Sequence, residues 1–451
     1  MSSPESLNEM QSAARAEAIP LPRRGPVSVP QPVRNAARMI ALVCCCGLLS
    51  GIAAMCLALT LHWIQHVAYG YSLSAVIGPE SFVQGVSDAA PLRRFFVLCV
   101  CGLVAGVGWC GLARYGRRLV SVRAATDQNS MPVAETVLHA VLQVVTVALG
   151  SPLGREVAPR ELGALLAQRF AAGFDLDPDQ YRLLLSCGAG AGLAAVYNVP
   201  VAATVFIMEV MMRQARWAFL WPAAAATFTA AVVASFGLGD EFQYTLPAYP
   251  LTWTLIGMGM LMGPVFGTLG FTFRRVMAKA SFDAATDFSG VIRSLGAFAF
   301  IGMLAMKVPE VLGNGKGPAE LAFNEHIAPM AVLSLLTIKL TAIALSLRVG
   351  AKGGLLTPGL SIGALLGLLL GSWLSAWFPG VEGGALALIG AAAFLSSSMT
   401  MPLTAVCLVM EFTDAPLSLV LPIALAAAGS ELARRWLDRL ANPTQTVTVA
   451  S

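Results

Sequence analysis

The sequence contains little charge. Only 12% of its 451 residues are Asp, Glu, Lys or Arg, whereas 57% are apolar. Soluble globular domains carry about twice that charged fraction, so this composition excludes a soluble domain and predicts a multi-pass membrane protein. The net charge of +4 is too small to indicate a nucleic-acid partner, and none is expected.

The sequence also lacks the residue spacings that bind metals. The four histidines are scattered, and the nine cysteines lie in or beside apolar runs, where we interpret them as small apolar fillers. We therefore expect neither a metal nor a cofactor. An intramembrane enzyme is only a remote alternative, because the sequence contains neither His-Glu-x-x-His nor paired Asp residues within an apolar run.

Apolar helical segments fill almost the whole stretch 37–440, which predicts an all-α membrane domain. Eight segments approach or exceed the roughly 20 residues that span a bilayer: 39–65, 94–113, 132–149, 216–236, 251–273, 291–307, 329–347 and 416–438. Six others are short or interrupted by Gly and Pro: 156–173, 180–197, 200–212, 354–377, 384–399 and 402–412. Residues 1–36 predict a flexible cytoplasmic tail, and 441–451 a short C-terminal tail.

Two sequence landmarks occur twice in the same order. Residues 198–209 resemble 400–411, and in both a Pro is followed by a Glu nine residues later. Upstream in each half, a Pro precedes the sequence Gly-Ala-Leu-Leu, and the gap between the two landmarks is nearly equal in the two halves. This agreement predicts an internal duplication. The copies are placed at roughly 90–240 and 290–440, with 251–273 between them.

Residues 149–166 place four charged side chains between two apolar segments. Charges at bilayer depth cost several kcal/mol, so they usually face a wet cavity and serve a function. Glycine and proline interrupt the helix here, and a new helix starting near Glu156 would direct free N–H groups toward an anion. Gly154, Arg155, Glu156 and Val157 are therefore candidate site residues. The alternative is a structural ion pair between Arg155 and Glu156.

The second half contains its own interrupted element at 350–363, where glycines precede a proline that starts the next helix. The amides of Leu355, Leu356 and Thr357 would then face the same site as Glu156. Two helix N-termini that converge in this way can replace the water around a small anion.

These motifs, taken in order, resemble the CLC family of anion channels and transporters. The resemblance rests on Gly-Arg-Glu at 154–156, Gly-Gly-x-x-x-Pro at 353–358, and residues 197–209 and 308–315, and it covers roughly 40–440. It implies a CLC-type inverted repeat whose broken helices meet at mid-membrane, and a homodimer with one pore per subunit. We expect the protein in a bacterial inner membrane, with the lipid bilayer, a halide and protons as its partners.

At several positions this sequence departs from the usual family motifs, and these departures resemble the fluoride/proton antiporter branch, CLC-F. Val-Ala-Pro follows the Glu in place of Gly-Pro, Leu356 replaces the usual Phe, and Val210 stands where chloride exchangers carry an inner Glu. The chloride-binding Ser motif is not recognisable, and its place falls at 116–121 or 129–132. The chain after residue 416 contains no Tyr to match the family's anion-binding Tyr.

The resemblance implies roles for individual residues. Glu156 would be the gating and proton-carrying carboxylate, and Met131 would contribute to selectivity. The function expected is fluoride export coupled to protons. A chloride/proton antiporter and a passive chloride channel are the alternatives.

Overall fold

The computed structural model describes residues 34–71, 81–213, 216–240, 242–374, 377–378 and 381–441. Met39–Ser451 forms one compact unit, and residues 34–38 are the described part of the preceding unit, Met1–Arg38. The tails predicted at 1–36 and 441–451 lie outside the described residues, apart from residues 34–36 and Ala441, which are helical.

The described part of the chain is built from helices. Seventeen α-helices are numbered here in chain order: α1 (Arg34–Tyr69), α2 (Phe82–Asp88), α3 (Pro91–Tyr115), α4 (Val122–Thr126), α5 (Val133–Ala148), α6 (Val157–Ala171), α7 (Pro178–Tyr197), α8 (Pro200–Phe206), α9 (Trp217–Leu238), α10 (Trp253–Ala280), α11 (Phe288–Ala305), α12 (Lys316–Phe323), α13 (Pro329–Arg348), α14 (Leu356–Leu374), α15 (Gly383–Met399), α16 (Pro402–Thr413) and α17 (Val420–Ala441). A π-helical segment, Ile207–Met212, continues α8, and 3-10 turns occupy Pro309–Val311 and Leu417–Leu419.

All fourteen predicted segments correspond to helices, so the all-α membrane fold is confirmed. Among the described residues, eight helices are long and apolar enough to cross a bilayer. They include α14, which the sequence classed as interrupted, because Pro358 lies in its first turn, where a missing N–H costs little. They do not include α5, which has only 16 residues.

The two halves, α1–α9 and α10–α17, follow the same order of elements, except that the short helix α2 has no counterpart in the second half. In the first half, a Cβ on Gly51 of α1 would lie 2.9 Å from the carbonyl oxygen of Ala230 in α9. In the second, a Cβ on Gly267 of α10 would lie 2.5 Å from the carbonyl oxygen of Ser430 in α17. Small residues allow such close backbone approach. Thus α10, predicted as a segment between the copies, occupies the position in the second half that α1 occupies in the first.

Two glutamates join the halves where α8 and α16 begin. Glu209 accepts hydrogen bonds from the N–H groups of Leu403 and Thr404 at 3.0 and 2.8 Å, and from the Thr404 hydroxyl at 2.6 Å. Glu411 accepts hydrogen bonds from the N–H groups of Val201 and Ala202 at 2.9 and 2.5 Å. Each carboxylate thus satisfies backbone donors that a helix N-terminus leaves free.

Candidate functional site

The two interrupted segments meet at Gly154 and Gly354, which form an antiparallel backbone bridge. The Gly154 N–H donates to the Gly354 carbonyl at 2.7 Å, and the Gly354 N–H donates to the Gly154 carbonyl at 2.9 Å. A Cβ on Gly154 would lie 2.1 Å from Glu156 Oε2, and one on Gly354 would lie 1.8 Å from Oε1. Glycine at both positions therefore leaves the space that the Glu156 carboxylate fills.

The Glu156 side chain is buried, with 1% of its surface exposed. Glu156 is the N-cap residue of α6, and its Oε1 accepts a hydrogen bond from the Leu356 N–H at 2.7 Å. Leu356 is the first residue of α14, so the carboxylate lies where this helix presents free amides and the positive end of its dipole. The carboxylate thus occupies the kind of position that an anion takes at a helix N-terminus.

One hydroxyl group contacts the carboxylate, and a second lies next to the first. The Tyr197 hydroxyl donates to Glu156 Oε2 at 3.4 Å and lies 2.8 Å from Thr357 Oγ1. Tyr197 is the last residue of α7, and its ring packs edge-on against Phe412 of α16, 5.3 Å between centroids. Both halves of the fold therefore fix this hydroxyl pair.

Sequence reasoning missed Tyr197 as a site residue, although residues 197–209 were among the motifs. It sought a Tyr in the last helix, whereas this hydroxyl comes from α7. Thr357 and Leu356 were predicted. The Leu356 N–H donates to Glu156, and the Thr357 hydroxyl lies beside the Tyr197 hydroxyl. Val157 follows Glu156 and is the first residue of α6. Leu355 immediately precedes Leu356, the first residue of α14.

Arg155 lies beside this centre. Its guanidinium is 5.1 Å from the centroid of the Tyr197 ring, and its buried Nε has no hydrogen-bond partner among the described residues. The ion pairs of the described part of the chain do not include one between Arg155 and Glu156. The structural ion pair considered as an alternative is therefore not formed.

The structure does not bring Met131 to Glu156. Its N–H donates to Gln168 Oε1 at 2.8 Å, and its carbonyl accepts from Arg169 Nη2 at 2.9 Å. These partners lie in the last turns of α6, about 18 Å along the helix from Glu156 at 1.5 Å per residue. Met131 therefore lies apart from the Glu156 carboxylate, and the contribution to selectivity predicted for it stays a prediction.

Two other buried ionisable side chains, Lys339 and His139, have partners. The buried Lys339 Nζ donates to the carbonyls of Val311 and Gly313 at 2.8 and 2.6 Å. His139 Nδ1 lies 2.8 Å from Glu161 Oε2. These groups fit the structural roles expected of buried polar side chains.

Sequence reasoning also missed one match to an enzyme motif. Residues 359–363 read Gly-Leu-Ser-Ile-Gly, which has the Gly-x-Ser-x-Gly spacing of serine hydrolases. Here the motif lies inside α14, and the fully buried Ser361 hydroxyl donates to the Pro358 carbonyl at 2.8 Å. It lacks the strand-to-helix turn that exposes the serine in those enzymes. In the described residues, no three His, Cys, Asp or Glu are grouped as a metal site requires.

The fold and the site together define a class: a multi-pass membrane transporter with two matched halves, whose broken helices meet around a buried carboxylate. The family model for the voltage gated chloride channel matches residues 96–435. The chain therefore belongs to this family, and is an anion transporter of the CLC type.

Relatives and solved structures agree with this assignment. A ClcB-like chloride channel protein of Ralstonia nicotianae is 29% identical over 409 residues, which cover 85% of this chain and 90% of that protein. A slow cyanobacterial Cl−/H+ antiporter superposes with a TM-score of 0.70 at 18% identity, covering 91% of this chain and 99% of that one. A CLC-type fluoride/proton antiporter gives a TM-score of 0.61 at 18% identity, covering 89% and 96%. At these identities, both structures support the fold alone.

Proposed function

We propose that the protein exchanges a halide for protons and that Glu156 takes part in both movements. The observation that supports the proposal is the hydrogen bond from the Leu356 N–H to the Glu156 carboxylate. The carboxylate lies where an anion would bind at the N-terminus of α14. Two negative charges 4 Å apart repel by about 4 kcal/mol at an effective dielectric constant of about 20. That is roughly a thousandfold in an equilibrium constant, so the ionised carboxylate and a halide exclude each other.

Protonation changes this competition. A protonated Glu156 side chain carries no negative charge, so the N-terminus of α14 no longer attracts it. A halide then accepts the hydrogen bond from the Leu356 N–H. When the proton leaves, the carboxylate returns and displaces the halide. A side chain that gains and loses a proton in this way couples the two fluxes.

Fluoride is the halide that the sequence favours. The Gly-Arg-Glu-Val-Ala-Pro motif and Val210 at the inner position resemble the fluoride-exporting branch. Fluoride is a small ion and a strong hydrogen-bond acceptor, and the donors here are the Leu356 amide and the hydroxyls of Tyr197 and Thr357. Such donors can replace the tightly held water of a small anion.

Chloride is the second candidate, and two observations favour it. Relatives at 28–29% identity are described as chloride channel proteins. The hydroxyl pair of Tyr197 and Thr357 also supplies donors of the kind that the missing Ser and C-terminal Tyr provide in chloride-transporting relatives. A passive chloride channel would share these donors but would not move protons.

Reconstitution in liposomes separates these functions. Vesicles loaded with fluoride or chloride are diluted into low-halide buffer, and ion-selective electrodes follow halide efflux while an external pH electrode follows protons. A fluoride/proton antiporter releases fluoride faster than chloride and takes up protons against their gradient. Equal chloride flux with proton uptake would indicate chloride/proton exchange, and chloride flux without proton movement a channel. Absence of halide flux from correctly folded protein would overturn the proposal.

We also propose that the protein works as a homodimer in a bacterial inner membrane. The bacterial relatives and the shared fold support this. Cross-linking in native membranes tests the dimer, since a monomeric chain would give no cross-linked species.

A further inference from the structure

The last turns of α10 and α17 lie side by side at one end of the bundle. A Cβ on Gly259 of α10 would lie 2.6 Å from the carbonyl oxygen of Pro422 in α17. Eight residues further along both helices, a Cβ on Gly267 would lie 2.5 Å from the carbonyl oxygen of Ser430. The two helices therefore run parallel. Both are long and apolar enough to cross a bilayer, so their C-terminal ends lie together near one membrane surface.

The two acidic residues of these helices, Glu431 and Asp438, are already paired with arginines. Asp438 accepts hydrogen bonds from Arg274 Nη2 at 2.8 Å and from Arg434 Nη1. Glu431 accepts hydrogen bonds from Arg434 at 2.6 and 2.7 Å and from Arg435 at 2.6 Å. Both oxygens of each carboxylate are thus bonded, and the network joins α10 to α17.

Three more basic side chains lie in the same turns without an acidic partner. Arg275, Lys279 and Arg439 are exposed, and none of them occurs in an ion pair of the described part of the chain. The Arg275 guanidinium stacks 4.4 Å from the centroid of the Phe271 ring. Arg275 and Arg439 directly follow the two residues of the 2.8 Å ion pair between α10 and α17, so they lie at the same level of the bilayer. The paired helix ends thus present cations that lack a counter-ion from the described chain.

Exposed apolar side chains adjoin these cations. Trp436 and Leu440 have 61% and 60% of their surface exposed. They lie four residues apart on one face of α17, next to Arg439 in the chain. Tryptophan is enriched where membrane helices meet the lipid headgroups. A soluble anion would contact the guanidinium groups alone, whereas a phospholipid would contact both the cations and the apolar side chains.

We propose that the ends of α10 and α17 bind an anionic phospholipid, whose phosphodiester lies between Arg275 and Arg439. Its acyl chains pack on Trp436 and Leu440. A guanidinium group donates two parallel hydrogen bonds to phosphate oxygens, and basic sites between membrane helices attract anionic headgroups. The lipid supplies the counter-ion that the described chain does not. This site does not depend on which ion the protein transports.

Quenching of Trp436 emission tests the site. Phosphatidylglycerol with brominated acyl chains, which quench tryptophan on contact, is titrated into the detergent-solubilised protein, and brominated phosphatidylcholine is titrated in parallel. The Trp436 signal is the difference from Trp436→Phe. Phosphatidylglycerol should half-quench this signal at a lower mole fraction than phosphatidylcholine does. Arg275→Gln and Arg439→Gln should each raise the mole fraction of phosphatidylglycerol roughly fivefold, the effect typical of one basic side chain near an anionic membrane surface. Quenching by phosphatidylcholine should not change.

Lys307→Gln is the matched control. Lys307 is exposed and follows α11, which runs back across the bilayer from the end of α10, so this variant removes one charge at the opposite end. Each variant keeps the ion pair between Arg274 and Asp438, and thermal unfolding in detergent checks that it is folded. Equal quenching by the two lipids, or an equal effect of Lys307→Gln, would overturn the site. So would relief of quenching by millimolar inorganic phosphate, which would indicate a soluble anion, or Trp436 emission that neither lipid quenches, which would indicate another partner on this face.

Discussion

The carboxylate of Glu156 accepts its hydrogen bond from the amide of Leu356, 200 residues further along the chain. The two residues lie at equivalent broken helices of the two halves. An ionisable group from one copy is thus held by a helix N-terminus from the other, and the first three of the following predictions depend on this arrangement.

Glu156→Gln should abolish proton movement while halide flux continues. The amide side chain fills similar space but cannot carry a proton, so halide and proton become uncoupled. Vesicle efflux recorded with halide and pH electrodes measures both fluxes. Glu135→Gln, which removes a carboxylate from an exposed ion pair with Arg117, is the control and should retain coupling. Proton uptake at the wild-type ratio in Glu156→Gln would exclude Glu156 as the carrier.

Tyr197→Phe removes one of the two hydroxyls beside the carboxylate without changing the ring that packs on Phe412. A hydrogen bond to a charged group contributes about 1.5–3 kcal/mol. We therefore expect the half-saturating halide concentration to rise at least tenfold, with the protein still folded. Tyr249→Phe removes a hydroxyl that donates to the Phe323 carbonyl elsewhere in the chain, and serves as the control. Unchanged halide affinity in Tyr197→Phe would show that this hydroxyl does not contact the ion.

Gly354→Ala should displace the carboxylate, because the added Cβ would lie 1.8 Å from Glu156 Oε1. Loss of proton coupling is expected together with reduced thermal stability. Gly296→Ala tests the same exchange in α11, where a Cβ meets nothing within 4 Å. Alanine there should be neutral or stabilising by up to about 1 kcal/mol. Wild-type coupling in Gly354→Ala would mean that the carboxylate does not rest between the two glycines.

Lys339→Met should destabilise the fold rather than alter ion selectivity. It leaves the carbonyls of Val311 and Gly313 without the buried ammonium group that donates to them, at about 1–3 kcal/mol for each unpaired group. Thermal unfolding in detergent should show a clear fall in midpoint, and Lys307→Met, at an exposed position, should not. A stable Lys339→Met protein with changed selectivity would give Lys339 a direct role in transport.

Much of the architecture could be predicted from sequence because membrane helices leave a strong local signal. Long apolar runs located the spans, and Gly, Pro and charge located the two interruptions. Glu156 was found because a carboxyl between apolar segments is costly and therefore conspicuous. The recurrence of two short motifs was enough to indicate the duplication.

What could not be predicted depends on contacts between distant helices. Tyr197 reaches Glu156 because α7 ends beside α14, which no local pattern encodes. Met131 was associated with the site through a resemblance of motifs, but its backbone is hydrogen-bonded to side chains at the C-terminal end of α6. The place of α10 as the counterpart of α1 rests on glycine contacts that appear only once the helices are packed.

The paired caps of Glu209 and Glu411 limit how this molecule can move. A motion that separated α8 from α16 would break the five hydrogen bonds that the two carboxylates accept, and would expose the helix N-termini to lipid or water. Charge-assisted bonds of this kind contribute about 1.5–3 kcal/mol each, so their combined rupture would be too costly to repeat at every turnover. In the proposed mechanism, access to the ion path is therefore switched by movement of the Glu156 side chain alone, and ligands that immobilise the helices should leave turnover intact.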